Sequence, residues 1–328
     1  MLATFWLIYF YYPSTVQPTG ACTRRHENGL WLRYKWSAGD KEYWKSSNEM
    51  INHLKNDQIR FAYFHLRELN TDGRLAIRKE EQLKTLTGFV HEEALDAKVI
   101  AWISLGSAYP ANGTDLSNEF VRKNAIEEAK WLTDTCGFDG VQWDYEPCQS
   151  GDRNFIKLLE ESRKALSADK MLSVATPMCA LEGEASTWYT WDEKYFSEVA
   201  ANCDQLAVMC YDLVLIFPWQ YESALRKQIL KLSATASSCQ KKCEVILGLP
   251  TYDRNFIHDH CEQLPLALKA VHDGAQAAGA SSDAIAGVAL FADYTTDENE
   301  WSLYRRCCID NGALENSSAA HLDPKNVK

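Results

Sequence analysis

The feature that most constrains this chain is an alternation that runs without a break from residue 29 to residue 309. Eight short segments rich in β-branched and aromatic residues read as strands, at 29–36, 60–69, 98–106, 138–147, 171–179, 204–213, 243–253 and 285–295. Amphipathic stretches follow them at 41–58, 76–95, 117–136, 151–167, 191–202, 221–238, 265–278 and 297–309. In the third of these, Phe120, Ile126, Ala129 and Leu132 recur at helical spacing, and Asn118 or Ser117 is placed to cap its start. Strand-then-helix order dictates a parallel sheet with helices outside it. Eight such repeats let the sheet close, so the expected fold is α/β, a (β/α)8 barrel. The alternative, an open doubly wound sheet, normally carries a glycine-rich phosphate turn after its first strand, and this chain has none there. No Pro-rich or low-complexity tract interrupts the alternation. The expected organisation is a segment 1–28, one barrel domain over 29–309, and a polar tail 310–328.

Composition narrows the function classes. Of 328 residues, 46% are hydrophobic and 24% charged, which supports a sizeable core. The formal net charge is −11, and the basic residues come as isolated pairs such as Arg24-Arg25 and Lys241-Lys242. Phosphate backbones demand clustered Lys and Arg, so nucleic acid is excluded as a partner. The eleven cysteines include no CxxC pair and show no zinc spacing. Cys210 lies in an apolar run, where a buried thiol is the plain reading, whereas Cys148 and Cys179 each follow a strand and could meet across neighbouring loops. Residues 2–12, LATFWLIYFYY, carry no charge and are too few to span a bilayer, but they suit a signal-peptide core. No Lys or Arg precedes them, so a truncated anchor stays open. The acceptor triplets at Asn112 and Asn316 agree with a secreted or membrane-anchored chain.

A barrel of this kind places its chemistry at the C-terminal ends of its strands. The fourth strand ends Asp139-Gly140-Val141-Gln142-Trp143-Asp144-Tyr145-Glu146-Pro147. Side chains alternate along a strand, so Gln142, Asp144 and Glu146 share one face while Val141, Trp143 and Tyr145 share the other. The apolar face suits the layer under the helices, which turns the polar row into the barrel. Two carboxylates two positions apart repel, and burial adds to the repulsion, so one of them should hold a proton near neutral pH. A general acid needs that proton.

This run resembles the Asp-Gly-x-Asp-x-Asp-x-Glu signature of glycoside hydrolase family 18, the chitinases and endo-β-N-acetylglucosaminidases. Asp139, Gly140, Asp144 and Glu146 match it. Three further segments match in order: Ser104-Leu105-Gly106 after strand three, Met209-Cys210-Tyr211-Asp212 after strand six, and Gly248-Leu249-Pro250-Thr251-Tyr252 after strand seven. The resemblance covers roughly residues 29–309. It implies that Glu146 protonates the leaving glycosidic oxygen and that Asp144 orients the substrate's 2-acetamido group. The acetamido carbonyl would then attack the anomeric carbon, giving an oxazolinium intermediate, in one of the substrate-assisted exceptions to the two-carboxylate scheme. Tyr211 would hydrogen-bond the acetamido oxygen, and Asp212 would contact the acetamido group or sugar hydroxyls. Gln142, Ser104, Met209, Tyr252 and Phe291 complete the expected substrate-binding set.

The sequence departs from that pattern at two places. Gln142 stands where the family has a carboxylate, and it can hydrogen-bond Asp144 without sharing a charge. Strand eight ends at Phe291, with Tyr294 close by, where the family has a tryptophan under the cleaved sugar. Trp301, in the following helix, reads as core. No cofactor and no metal site is implied, because HExxH is absent and the histidines are scattered; a lone one such as His65 reads as a satisfied polar group. The expected partner is an oligo- or polysaccharide containing N-acetylglucosamine, with no obligate protein partner. The alternative is a catalytically weak or silent chitin- or glycan-binding lectin on the same barrel. Such relatives typically lose the terminal glutamate, which this chain keeps.

Overall fold

The computed structural model describes residues 12, 16–18, 20, 22–23, 25–106, 113–181, 190–213, 215, 217–238, 243–251 and 261–310. Eight parallel strands close into a barrel: β1 (Asn28–Leu32), β2 (Ile59–Glu68), β3 (Lys98–Gly106), β4 (Gly140–Glu146), β5 (Met171–Thr176), β6 (Gln205–Met209), β7 (Glu244–Pro250) and β8 (Ile285–Phe291). Each strand pairs with its sequence neighbours, and β1 pairs with β8. The helices are α1 (Ser47–Asn56), α2 (Glu80–Glu93), α3 (Glu119–Asp134), α4 (Arg153–Ala165), α5 (Glu193–Asn202), α6 (Pro218–Ser238), α7 (Leu264–Ala278) and α8 (Glu298–Cys308), one after each strand. This is the (β/α)8 barrel that the alternation implies.

Two local readings are corrected. The first strand stops at Leu32 instead of running to residue 36, because Trp36 N turns back to Arg33 O and Ala38 N to Tyr34 O. The stretch 41–58 is not one helix. Asp40 caps a single turn, Lys41–Trp44, and α1 starts afresh at Ser47. Asn118, the proposed cap of α3, accepts a hydrogen bond from Phe120 N.

The hydrophobic residues divide into two cores. The larger lies between sheet and helices. The smaller fills the barrel, where Trp31, Phe61, Tyr63 and Ile100 pack among Ala207, Ala286 and Ala289. The large residues named come from β1, β2 and β3 and the small ones from β6 and β8, because eight strands leave room for only a few bulky side chains per layer. Gly248 shows how tight this is: a Cβ there would come to 3.0 Å from Trp31 Cη2 and 3.1 Å from Tyr211 Cε1. The outward face of β4 behaves as the alternation requires. Trp143 donates to Ser162 Oγ of α4 at 3.1 Å, and Tyr145 stacks on Phe155 at 5.2 Å. Trp301 is buried in the outer core, stacked on His53.

Above Phe61 and Ile100 a band of polar groups crosses the barrel interior. Trp31 Nε1 donates to Gln142 Oε1 (2.8 Å), Gln142 Nε2 to Ser173 Oγ (3.1 Å), and Ser173 Oγ to Gln205 Oε1 (2.9 Å), which also accepts from Tyr63 OH (2.7 Å). All five residues are buried and none carries a charge. Burial holds the Tyr63 phenol far above its ordinary range.

Candidate active site

A cavity of about 360 Å³ opens over this band at the C-terminal ends of the strands. Asp144 and Glu146 form one wall with Pro147 and Cys148; Met209, Tyr211 and Asp212 come from the end of β6; Trp31, Trp102 and Phe291 make the floor. The parallel register sets these heights. Ser104 lies level with Asp144 and Gly106 with Glu146, while Trp102 starts one layer down, level with Gln142. Its long side chain reaches up a layer, so that Trp102 Nε1 donates to Asp144 Oδ2 at 2.8 Å; Ser104 Oγ donates to the same oxygen at 3.2 Å. Behind them, His65 stacks on Trp102 at 4.1 Å and its Nε2 meets Ser104 Oγ at 3.2 Å.

Asp144 is buried, and burial raises its carboxyl above the usual range against the pull of Trp102 and Ser104. Glu146 touches solvent at the cavity mouth yet is walled in by protein. Desolvation, and then the charges of Asp144 and Asp212, push its carboxyl up, to about 8; the water at the mouth tempers this rise without reversing it. The pair therefore holds one proton through neutral pH, on the member that faces the opening. Burial lowers His65 to about 4, so its ring is neutral over the same range.

The aromatic floor is compact. Phe291 stacks on Tyr211 at 4.8 Å and meets Trp31 edge-on at 5.9 Å. Tyr294 does not line the cavity and lies under the Arg33 guanidinium at 3.8 Å. The loop after β6 is tied down by Glu262, whose carboxylate accepts from Asp212 N (2.6 Å) and Leu213 N (2.7 Å) while Asp212 sits at φ +57°. The Glu146–Pro147 and Phe291–Ala292 peptides at the cavity wall are cis. Among the described residues no three His, Cys, Asp or Glu side chains are grouped to hold a metal ion.

The family of glycosyl hydrolases 18 matches this chain over residues 36–317. The chain belongs to glycosyl hydrolase family 18. As a member it is a glycosidase. Its fold is similar to that of the Bacillus cereus spore cortex-lytic enzyme SleL (TM-score 0.60, 10% identity, covering 86% of this chain and 74% of that one). It is also similar to chitinases from Chromobacterium violaceum (0.59, 13%, 85% and 98%) and Bacteroides thetaiotaomicron (0.59, 15%, 88% and 98%). No curated protein sequence matches the chain.

The structure brings together Glu146, Asp144, Tyr211, Asp212, Met209 and Phe291 in the lining, with Ser104 one hydrogen bond behind it. Tyr252 lies outside the described residues. Gln142 is not part of the lining: it is buried beneath the cavity, and its amide is spent on Trp31 and Ser173 instead of Asp144. Cys148 and Cys179 do not pair; each is a buried free thiol. The sequence reading missed Trp31, Trp102 and Glu262. Trp102 carried a usable signal, since it lies two residues before Ser104 on the same inward face. Glu262 carried none, because no motif surrounds it and only the folded loop gives it partners.

Proposed function

We propose that this family 18 enzyme hydrolyses glycans containing β-linked N-acetylglucosamine, chitin-like or of the N-glycan core, with retention and with help from the substrate's own acetamido group. The observation that carries this reading is the Asp144–Glu146 pair in the cavity lining: two carboxyls with one proton between them, held on the member at the opening, beside a buried oxygen, Asp144 Oδ1, that accepts no protein hydrogen bond. Glu146 gives its proton to the glycosidic oxygen as the acetamido carbonyl oxygen bonds to the anomeric carbon and the leaving sugar departs. Asp144 accepts the acetamido N–H, raises the electron density on that carbonyl and offsets the positive charge that develops in the oxazolinium. Tyr211 and Asp212 fix the group in attack geometry, which lowers the barrel's work to a near-unimolecular step. Glu146, now ionised, takes a proton from water as the water oxygen bonds to the anomeric carbon and opens the oxazolinium ring. Phe291 offers the sugar an apolar face. The catalytic barrel is assigned to residues 29–309.

The test is release of fluorophore from an N-acetylglucosaminide or chitobioside, with Glu146→Gln as the control. The variant should lose about 10²–10⁴-fold in kcat with binding retained. Tight oligosaccharide binding by the wild type with no turnover would overturn the reading in favour of a glycan-binding role.

A further inference from the structure

We infer that Trp102, Ser104 and His65 form a neutral bracket that holds Asp144 by Oδ2 in a single orientation, doing by hydrogen bonds alone what position 142 cannot do with a charge. The inference rests on the hydrolytic reading above for its kinetic consequences, but its geometry does not. Gln142 has both ends of its amide engaged elsewhere, so it makes no hydrogen bond to Asp144 and brings no charge beneath it. What grips Asp144 is lateral. The Trp102 indole and the Ser104 hydroxyl converge on one oxygen, Oδ2, while Oδ1 is buried and accepts no hydrogen bond. Two donors on one oxygen restrain the carboxylate's rotation, while Oδ1 stays buried without a protein donor.

His65 completes the bracket. Ser104 has one hydroxyl proton, and it points to Asp144. Its contact with His65 therefore has the ring donating from Nε2–H, which fixes the tautomer, and the Nε2–H in turn fixes the rotation of the hydroxyl. The ring lies flat on Trp102 and limits the swing of the indole that holds Asp144. His65 and Trp102 are register partners on β2 and β3, so the sheet itself sets this stack. The ionisable groups facing Asp144 are Glu146 on its own strand, Asp212 and Tyr211 from β6, and His65 with Arg67 behind it from β2. Of these only Glu146 engages the Asp144 carboxyl directly, through the proton the two share; the donors to Oδ2 are Trp102 and Ser104. Trp102 and His65 are positioning residues on this view: they act through Asp144.

The bracket predicts a coupled set of readouts. A hydrogen bond to a charged group is strong enough that its removal raises an acid's pKa by about one unit or more. In Trp102→Phe, which keeps a ring against His65, the Asp144 titration followed by carboxyl ¹³C NMR, with Asp144→Asn to assign the signal, should move upward by that amount. The acidic limb of the pH–rate profile should move with it. Turnover should fall about tenfold with KM little changed. Ser104→Ala, a change of one atom, should do the same and serves if the tryptophan variant does not fold. His65→Leu should give a smaller shift in the same direction, and His65→Gln, whose amide can still donate to Ser104, should restore it. If neither Trp102→Phe nor Ser104→Ala moves the Asp144 titration, the bracket is wrong. If both move it while the wild type hydrolyses no N-acetylglucosaminide, the bracket stands and the proposed substrate class falls.

Discussion

Replacing Gln142 by aspartate would put a carboxylate where the family pattern has one, and the structure predicts that this chain cannot accommodate it. Gln142 is fully buried in a band without charges. A carboxylate there would keep the Trp31 donor but would face a Ser173 hydroxyl whose proton is already given to Gln205. Groups so buried have their carboxyl pKa raised by about 3–5 units, from about 3.9 to 7 or beyond. The unfolded chain would ionise at pH 7 and the folded one would not. At about 1.4 kcal/mol per unit, the folded state loses about 4 kcal/mol at pH 7, about 1.5 at pH 5 and almost nothing at pH 3. The sign follows from the raised pKa: the penalty is absent below the unfolded value and grows as pH rises above it. Loss of the Ser173 bond and one methylene adds about 1–2 kcal/mol at every pH. Gln142→Asn shares the shortening but not the charge and isolates this constant part. Urea unfolding of wild type and both variants at pH 5 and pH 7 measures the difference. The gap between the aspartate and asparagine variants should widen by about 2.5 kcal/mol between the two pH values. A gap that does not change with pH would refute the premise that the band is dry and uncharged.

Other consequences can be checked more simply. If Glu146 acts as the acid, kcat/KM should fall as pH rises through a value near 8, because only its protonated form can give a proton, and this basic limb should vanish in Glu146→Gln along with most of the rate. Glu262→Ala strips the acceptors from Asp212 N and Leu213 N; the loss of two charge-assisted bonds of about 1.5–3 kcal/mol each should lower thermal stability and cut turnover at least tenfold by loosening Tyr211 and Asp212. Phe155→Ala empties a fully buried site under Tyr145 and should cost about 3–5 kcal/mol in denaturant unfolding, with the mutant's loss of activity following its loss of folded protein.

Much of this was legible in the residues because it depends on period alone. The eight-fold alternation gave the barrel, and the two-residue period of strand four turned Asp144 and Glu146 inward with Trp143 and Tyr145 outward, as found. What escaped depends on reach and on chain reversal. Arg33 to Trp36 alternates like a strand, yet the chain turns there and Trp36 Nε1 donates to half-buried Asp293. Trp102 begins a layer below Asp144 and contacts it only because an indole is long enough to climb the barrel wall. Gln142 was read as a partner of Asp144 from proximity along one strand, but cross-strand neighbours at the same height, Ser173 among them, are closer in space than residues two apart. Alternation tells which way a side chain faces and leaves open which neighbour it chooses.

The polar band under the cavity sets where protons can travel. Its members hand hydrogen bonds around the barrel from Trp31 to Gln142, Ser173 and Gln205. An indole can only donate, and primary amides, which donate and accept, cannot pass a proton on without adopting high-energy tautomers. The band is thus an insulator for protons as well as for charge. Protons that Glu146 gives up or regains therefore pass by the mouth, or along Ser104 and His65 in the side wall, so an occupied cavity should exchange protons with the bulk more slowly than an empty one.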